Sequence, residues 1–208
     1  AMAVGGLDLS VGAVAGMSVT LSAMTMVIYD KSAPVAVGVV LLAGLLIGSF
    51  NAFLIVGLKI PDLLATLASM FAIMGLKLVP VRGRSVSSGM MMEDGTTAKG
   101  KFTDGFLKID NGSFGPIPFA VIMWLVLTIA CWLFLTRTTW GRAMYAVGSN
   151  PEAALLAGIR VKFYRSLAYI LSSLLASISG LILASRIGQG DIHGTFLRSI
   201  ECEIQLWI

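Results

Sequence analysis

Charge is scarce in this chain. Asp, Glu, Lys and Arg make up only 12% of its 208 residues, against about a quarter in an ordinary soluble domain. With 57% of the residues apolar, a water-soluble globular domain is excluded and a bilayer protein is expected. The net charge of +4 is modest, and the basic groups gather near the ends of apolar runs, as membrane-flanking residues do. Nucleic-acid binding does not explain that placement. Cysteine is nearly absent: Cys131 lies inside an apolar run and Cys202 near the end of the chain. Neither belongs to a disulfide framework or a metal-ligand spacing, and Cys131 reads as an inert buried thiol. His193 is the sole histidine and has no second ligand nearby.

Other absences narrow the function. The apolar segments hold no paired carboxylates, no histidine cluster and no Ser/His arrangement, which argues against an intramembrane enzyme. Segments two to five, defined below, contain no carboxylate or histidine at all. An ion-coupled secondary transporter would need such groups, so it ranks low. The opening Ala-Met-Ala-Val-Gly-Gly lacks the basic start and cleavage pattern of a secretory signal. A start within an apolar context is expected of a piece of a longer protein.

What is present is long apolar sequence. A helix needs about 20 mainly apolar residues to cross the hydrocarbon core. Five segments qualify: residues 11–29, 34–58, 63–81, 116–136 and 167–185. Each must be helical, because lipid offers the backbone no partner and the alternation that a barrel would need is missing. The fold expected is an all-α integral membrane protein of about five transmembrane helices in one domain, 1–208. Small residues recur at close-packing spacings, with Gly12 and Gly16, Gly44 and Gly48, and Ser172, Ser173, Ser177, Ser179 and Gly180. They predict a compact bundle whose helix backbones approach closely.

Two polar stretches interrupt the apolar pattern. Residues 82–115 read as an ordered loop with one or two short hairpins, since glycines recur and Asn111-Gly112-Ser113 followed by Gly115-Pro116 is turn material. Residues 137–166 carry Arg137, Arg142, Arg160, Lys162 and Arg165. The other loop has as many basic residues, in Arg82, Arg84, Lys99, Lys101 and Lys108. The positive-inside rule counts Lys and Arg, so charge leaves the orientation tied.

Within the second stretch, Asn150-Pro151-Glu152-Ala153-Ala154-Leu155-Leu156-Ala157-Gly158 predicts a short, capped helix. Asn150 suits the N-cap, Pro151 the first helical position, Glu152 the positive end of the dipole and Gly158 the stop. It is too short and too weakly amphipathic to be a strong interfacial anchor. A stiff knob on the aqueous surface of a membrane protein points to a partner. Small side chains at 153 and 154 are expected to let that partner dock closely.

Three stretches together carry a resemblance. They are Gly5-Gly6-Leu-Asp8-Leu-Ser10-Val-Gly12; Gly48-Ser-Phe-Asn51 with Ile60-Pro61-Asp-Leu-Leu-Ala-Thr66; and Trp140 through Asn150-Pro-Glu-Ala-Ala to Gly158-Ile159. In order and spacing the chain resembles, from about Gly5 to Gln189, the membrane-spanning permease subunits of bacterial ABC importers for monosaccharides of the ribose, xylose and arabinose type. The resemblance implies a multi-pass protein of the bacterial inner membrane that binds no nucleic acid and pairs with a second permease subunit. An ATP-binding subunit beneath would consume ATP, and a periplasmic sugar-binding protein would dock above. No catalytic residue, metal or cofactor is implied for the chain itself. Asn150, Pro151, Glu152, Ala153, Ala154 and Gly158 match the family's coupling segment. That match places 137–166 in the cytoplasm as a coupling loop and 82–115 outside.

Gly5, Gly6, Asp8, Ser10, Asn51 and Thr66 are the candidates for lining the pathway or bridging helices. A charge at mid-membrane costs about 2.5–3.5 kcal/mol on insertion scales, so Asp8 is expected at the interface, capping the first helix, rather than lining a pathway through a glycine-broken helix. Asn51 is more deeply embedded, and helix bridging and a polar cavity are equally open to it. After about Gly188 the resemblance stops. The expectation is a central piece of a longer permease, or a truncated remnant of one.

Overall fold

The computed structural model describes residues 1–81, 83–91, 96–103, 105–107, 113–114 and 117–190. His193, Cys202, Arg82, Glu93, Asp94, Asp104, Lys108, Asp110, the Asn111-Gly112 and Gly115-Pro116 turn residues, and the whole tail beyond Gly190 lie outside them. The chain is almost wholly helical: α1 (Val11–Ala23), α2 (Ala33–Ala52), α3 (Asp62–Leu78), α4 (Phe119–Arg137), α5 (Thr139–Ser149), α6 (Pro151–Leu156) and α7 (Val161–Ile187). α1 and α2 each run on through a π-helical turn, Met24–Ile28 and Phe53–Gly57. With these turns, α1 and α2 are long and apolar enough to span a bilayer, as are α4 and α7. α3 has 17 residues, the short end of the spanning range of about 17–25. It is the segment in which five expected spans and four fully qualifying ones differ.

Helices α1, α2, α3 and α7 form the bundle. α7 packs along both α2 and α1, and the reason is side-chain size. A Cβ placed at Gly48 would lie 2.8 Å from the Ile170 Cα, and one at Gly44 would collide with Ser177. Gly180 of α7 is pressed in the same way against Ala15 of α1. The spacing of small residues therefore marks helix seams, as expected.

The bundle mixes small polar residues into its apolar interior and turns large apolar side chains outward. Its buried positions include Ser18, Thr20, Ser22, Asn51, Thr66, Ser69, Ser173 and Ser177. Leu42, Leu45, Leu46, Phe50 and Phe53 of α2 and its π turn face outward, as do Trp124 and Trp132 of α4. Most of the interior hydroxyls find a partner close by, the exception being the buried Ser173 Oγ, which has none. Ser18, Thr20, Ser22 and Ser177 each donate to a carbonyl three or four residues back in their own helix, which satisfies the polar atom while keeping the side chain small.

The two ends of the bundle differ. At one end β1 (Val86–Ser87) pairs antiparallel with β4 (Gln189–Gly190), just past α7. Val86, Phe102 and Phe106 are buried there against Met26, Val27 and Ala184, and the Ser185 hydroxyl donates to the Phe106 carbonyl. A second antiparallel pair joins β2 (Ser113–Phe114) to β3 (Ile117–Pro118), which lies just past the stretch in which hairpins were expected. At the other end lie the start of α3, the start of α7, and α5 with α6. Val86, Phe102 and Phe106 of the stretch 82–115 thus sit at the end opposite to 137–166.

Helix α5 was not foreseen in 137–166. The Thr138 hydroxyl accepts from the Gly141 N–H at 3.1 Å and caps it. Met144 and Val147 are buried from one face. α7 also starts six residues earlier than expected, at Val161, because Arg165 is held by Asp62 and the helix continues past the apolar boundary.

Candidate functional site

Two groups of residues stand out, one exposed and one buried. The exposed one is α6. The Asn150 Oδ1 accepts from the N–H groups of Glu152 and Ala153, both at 3.0 Å, so the side chain occupies two donors that the first turn would leave free. At the other end Gly158 takes φ +79°, a left-handed conformation that a side chain would resist. Its N–H reaches the Leu155 carbonyl and the Ile159 N–H the Ala154 carbonyl, each at 3.0 Å. A six-residue helix closed at both ends by its own atoms holds its shape without a partner.

Its side chains divide sharply. Ala154 is buried and packs with Val4, Met144, Val147 and Ala168. Its small size serves the chain's own packing, not the close docking expected of it. Pro151, Glu152 and Ala153 are exposed. Leu155 is 65% exposed and Leu156 91%. Two leucines at the tip of a polar-flanked knob were not singled out from the sequence, although Leu-Leu following a capped first turn was the available signal. Beside the knob, Trp140, Arg160, Phe163 and Tyr164 line a cleft of about 410 Å³, with the Phe163 ring edge-on to both Trp140 and Tyr164.

The buried group begins at Gly5, where the chain takes φ +72° after a single 3-10 turn, Met2–Val4. This turn lies on α5, with Ala3 and Val4 pressed against Gly148. Gly6 is wedged between Tyr169 and Asp62, and a Cβ there would meet the Asp62 Oδ2 at 2.9 Å and collide with the Tyr169 hydroxyl. Arg165 Nη2 bridges both Asp62 oxygens, at 2.9 and 3.0 Å. This ion pair ties α3 to α7 and was not read from the sequence.

Beyond Gly6 the chain turns inward. The Asp8 Oδ1 accepts from the Ser10 N–H at 3.1 Å and from its hydroxyl at 2.6 Å. Ser10 in turn accepts from the Asn51 Nδ2 at 3.0 Å, and the Asn51 Oδ1 accepts from the Ser69 hydroxyl. One network thus joins the start of α1 to α2 and α3. Asn51 uses both ends of its amide on neighbouring helices, so helix bridging is the role it holds. Thr66 is buried too, but its hydroxyl turns back to the Asp62 carbonyl at 2.8 Å and stays out of the network.

The depth of the network decides how to read Asp8. Asn51 lies six residues before Gly57, the end of its helix, and Ser69 seven after Asp62, the start of its own. At about 1.5 Å per residue both are about 9–11 Å inside the bundle. Asp8 does not cap α1 as expected: its bonds go to Ser10, the N-cap residue itself, and the turn they close is not at the surface. Asp8 descends from Gly6, at the level of Asp62, toward a helix start buried below it. Its Oδ2 is buried with no hydrogen-bond partner.

The architecture is that of a multi-pass membrane bundle with a short, self-capped helix at one end. The chain belongs to the family described as the permease component of the branched-chain amino acid transport system, which matches residues 1–203. It is 36% identical over 88% of its length to a probable ABC transporter permease protein, y4mJ, of Sinorhizobium fredii. It is also similar to the ribose import permease protein RbsC of Bacillus subtilis, at 34% identity over 88% of the chain. The autoinducer 2 import system permease protein LsrC of Escherichia coli is 32% identical, again over 88%. The chain spans about half the length of these relatives, 51%, 53% and 49% respectively. No solved structure matches it.

Proposed function

We propose that this chain forms part of the membrane-spanning subunit of an ATP-driven importer for a monosaccharide or similar polyhydroxylated solute. The observation that carries the reading is α6: a rigid knob, capped by Asn150 and Gly158, with Leu155 and Leu156 presented outward. Such an element suits insertion into a cleft of an ATP-hydrolysing partner. It transmits displacement because its caps leave no slack. On this reading the α5–α6 end faces the cytoplasm and the β1–β4 end faces outward in the bacterial inner membrane. A sugar-binding protein would dock at the outer end, and a second permease subunit would complete the pathway. ATP binds the partner, and the chain itself contributes no catalytic group or cofactor. The permeases for ribose and autoinducer 2 named above support a polyhydroxylated solute; the family description, taken alone, favours a branched-chain amino acid.

The test is uptake by the complete importer in proteoliposomes, with ribose and leucine as labelled solutes. ATP-dependent ribose uptake that survives collapse of the ion gradients is expected. Leucine uptake without ribose uptake overturns the solute class, and uptake that follows the ion gradient at constant ATP overturns the mechanism. Glu152→Lys is expected to abolish uptake while membrane insertion stays normal; undiminished uptake by that variant removes Glu152 from coupling.

A further inference from the structure

We propose that the cleft between the α2–α3 turn and the first turns of α7 is a binding site for an anionic phospholipid headgroup. The cleft, of about 400 Å³, is lined by Lys59, Lys162 and Arg165 on its polar side and by Ile55, Ile60 and Val161 on its apolar side. Its one acid, Asp62, is already occupied by Arg165. Lys59 and Lys162 are exposed, and the Arg165 Nε is buried with no hydrogen-bond partner. The cleft therefore presents an excess of cation donors with no protein anion left to receive them.

Its height argues for lipid over a soluble anion. The cations stand where α2 ends and where α3 and α7 begin, the level at which an apolar span gives way to headgroups. Leu58, Leu63 and Leu64, beside the cleft in the chain, are all more than half exposed and offer an apolar surface for the acyl chains. Lys59 is fixed in a left-handed conformation, φ +58°, so its place at the helix end is set by the turn. The site needs only a membrane boundary at this level, and stands whether or not α6 docks an ATPase.

The experiment is native mass spectrometry of the purified full-length permease, titrated with phosphatidylglycerol and, separately, with phosphatidylcholine. Retention of phosphatidylglycerol over phosphatidylcholine is expected. Lys59→Gln with Lys162→Gln should weaken it on the order of thirtyfold, given about 1 kcal/mol for each cation near an anionic surface. Lys59→Arg with Lys162→Arg should retain it. Lys99→Gln with Lys101→Gln, at the opposite end, should change nothing. Equal retention of both lipids, or unchanged retention in the Gln pair, overturns the site. Displacement of the lipid by an equal concentration of inorganic phosphate overturns its assignment to lipid.

Discussion

The knob at α6 and the network at the start of α1 are both built from short polar side chains, yet the two spend them differently. At α6, Asn150 turns its amide on its own backbone, and the helix ends exposed with Leu156 in solvent. At α1, Asp8, Ser10, Asn51 and Ser69 spend their polar atoms on one another across three helices and are largely buried. The first arrangement closes an element on itself, with only Ala154 packed into the rest of the chain. The second makes the surroundings dependent on the element. Damage to the knob should therefore change what the protein does to a partner, and damage to the network should change whether the bundle holds.

The sharpest way to break that contrast is through the seam that carries the network. Gly48→Leu forces a side chain onto the Ile170 backbone, and overpacking of this kind costs about 1–3 kcal/mol. It is expected to give the largest loss of folded protein, read as a drop in thermal stability in detergent. Asn51→Leu follows: it removes both amide bonds and leaves the Ser69 hydroxyl without its acceptor, at about 1 kcal/mol. The expected result is a lower melting temperature with membrane insertion intact. A variant as stable as the parent would show that the network is not what holds α1 to α2 and α3. Asn150→Ala should cost about 1 kcal/mol of α6 alone, visible as faster amide exchange at 152 and 153 with the melting temperature of the bundle unmoved. The smallest effect is expected at Lys59, where a left-handed backbone carries a side chain. Lys59→Gly should be neutral to slightly stabilising, within about 1 kcal/mol, in the same melting experiment.

Most of the bundle was legible because its signals are one-dimensional. Apolar length gave the spans, and Gly44 with Gly48 marked a close-packing face on α2, though not the helix that packs there. The α6 caps could be read residue by residue, since each acts on the backbone within three positions. What could not be read is what acts across the chain. Nothing in the sequence pairs Asp62 with Arg165, 103 positions away, or Ser69 with Asn51. The depth of the Asp8–Ser10 turn was hidden for the same reason: Asp8 lies at the edge of its own apolar segment, and only the packing of α2 and α3 around it shows that this edge is buried. Ala154 taught the converse lesson. A small residue on a docking helix reads as room for a partner, and here that room is taken by Met144 and Val147.

The measurement that bears most directly on the contrast is made on one variant, Leu156→Asp, in the permease coexpressed with the ATP-binding subunit proposed as its partner. Melting temperature and the amount of copurified ATP-binding subunit are read from the same preparation. A charge at a side chain that is 91% exposed should leave the melting temperature unchanged and strip the ATP-binding subunit from the complex. Full recovery of that subunit, with uptake intact, would contradict the assignment of α6 as the docking element.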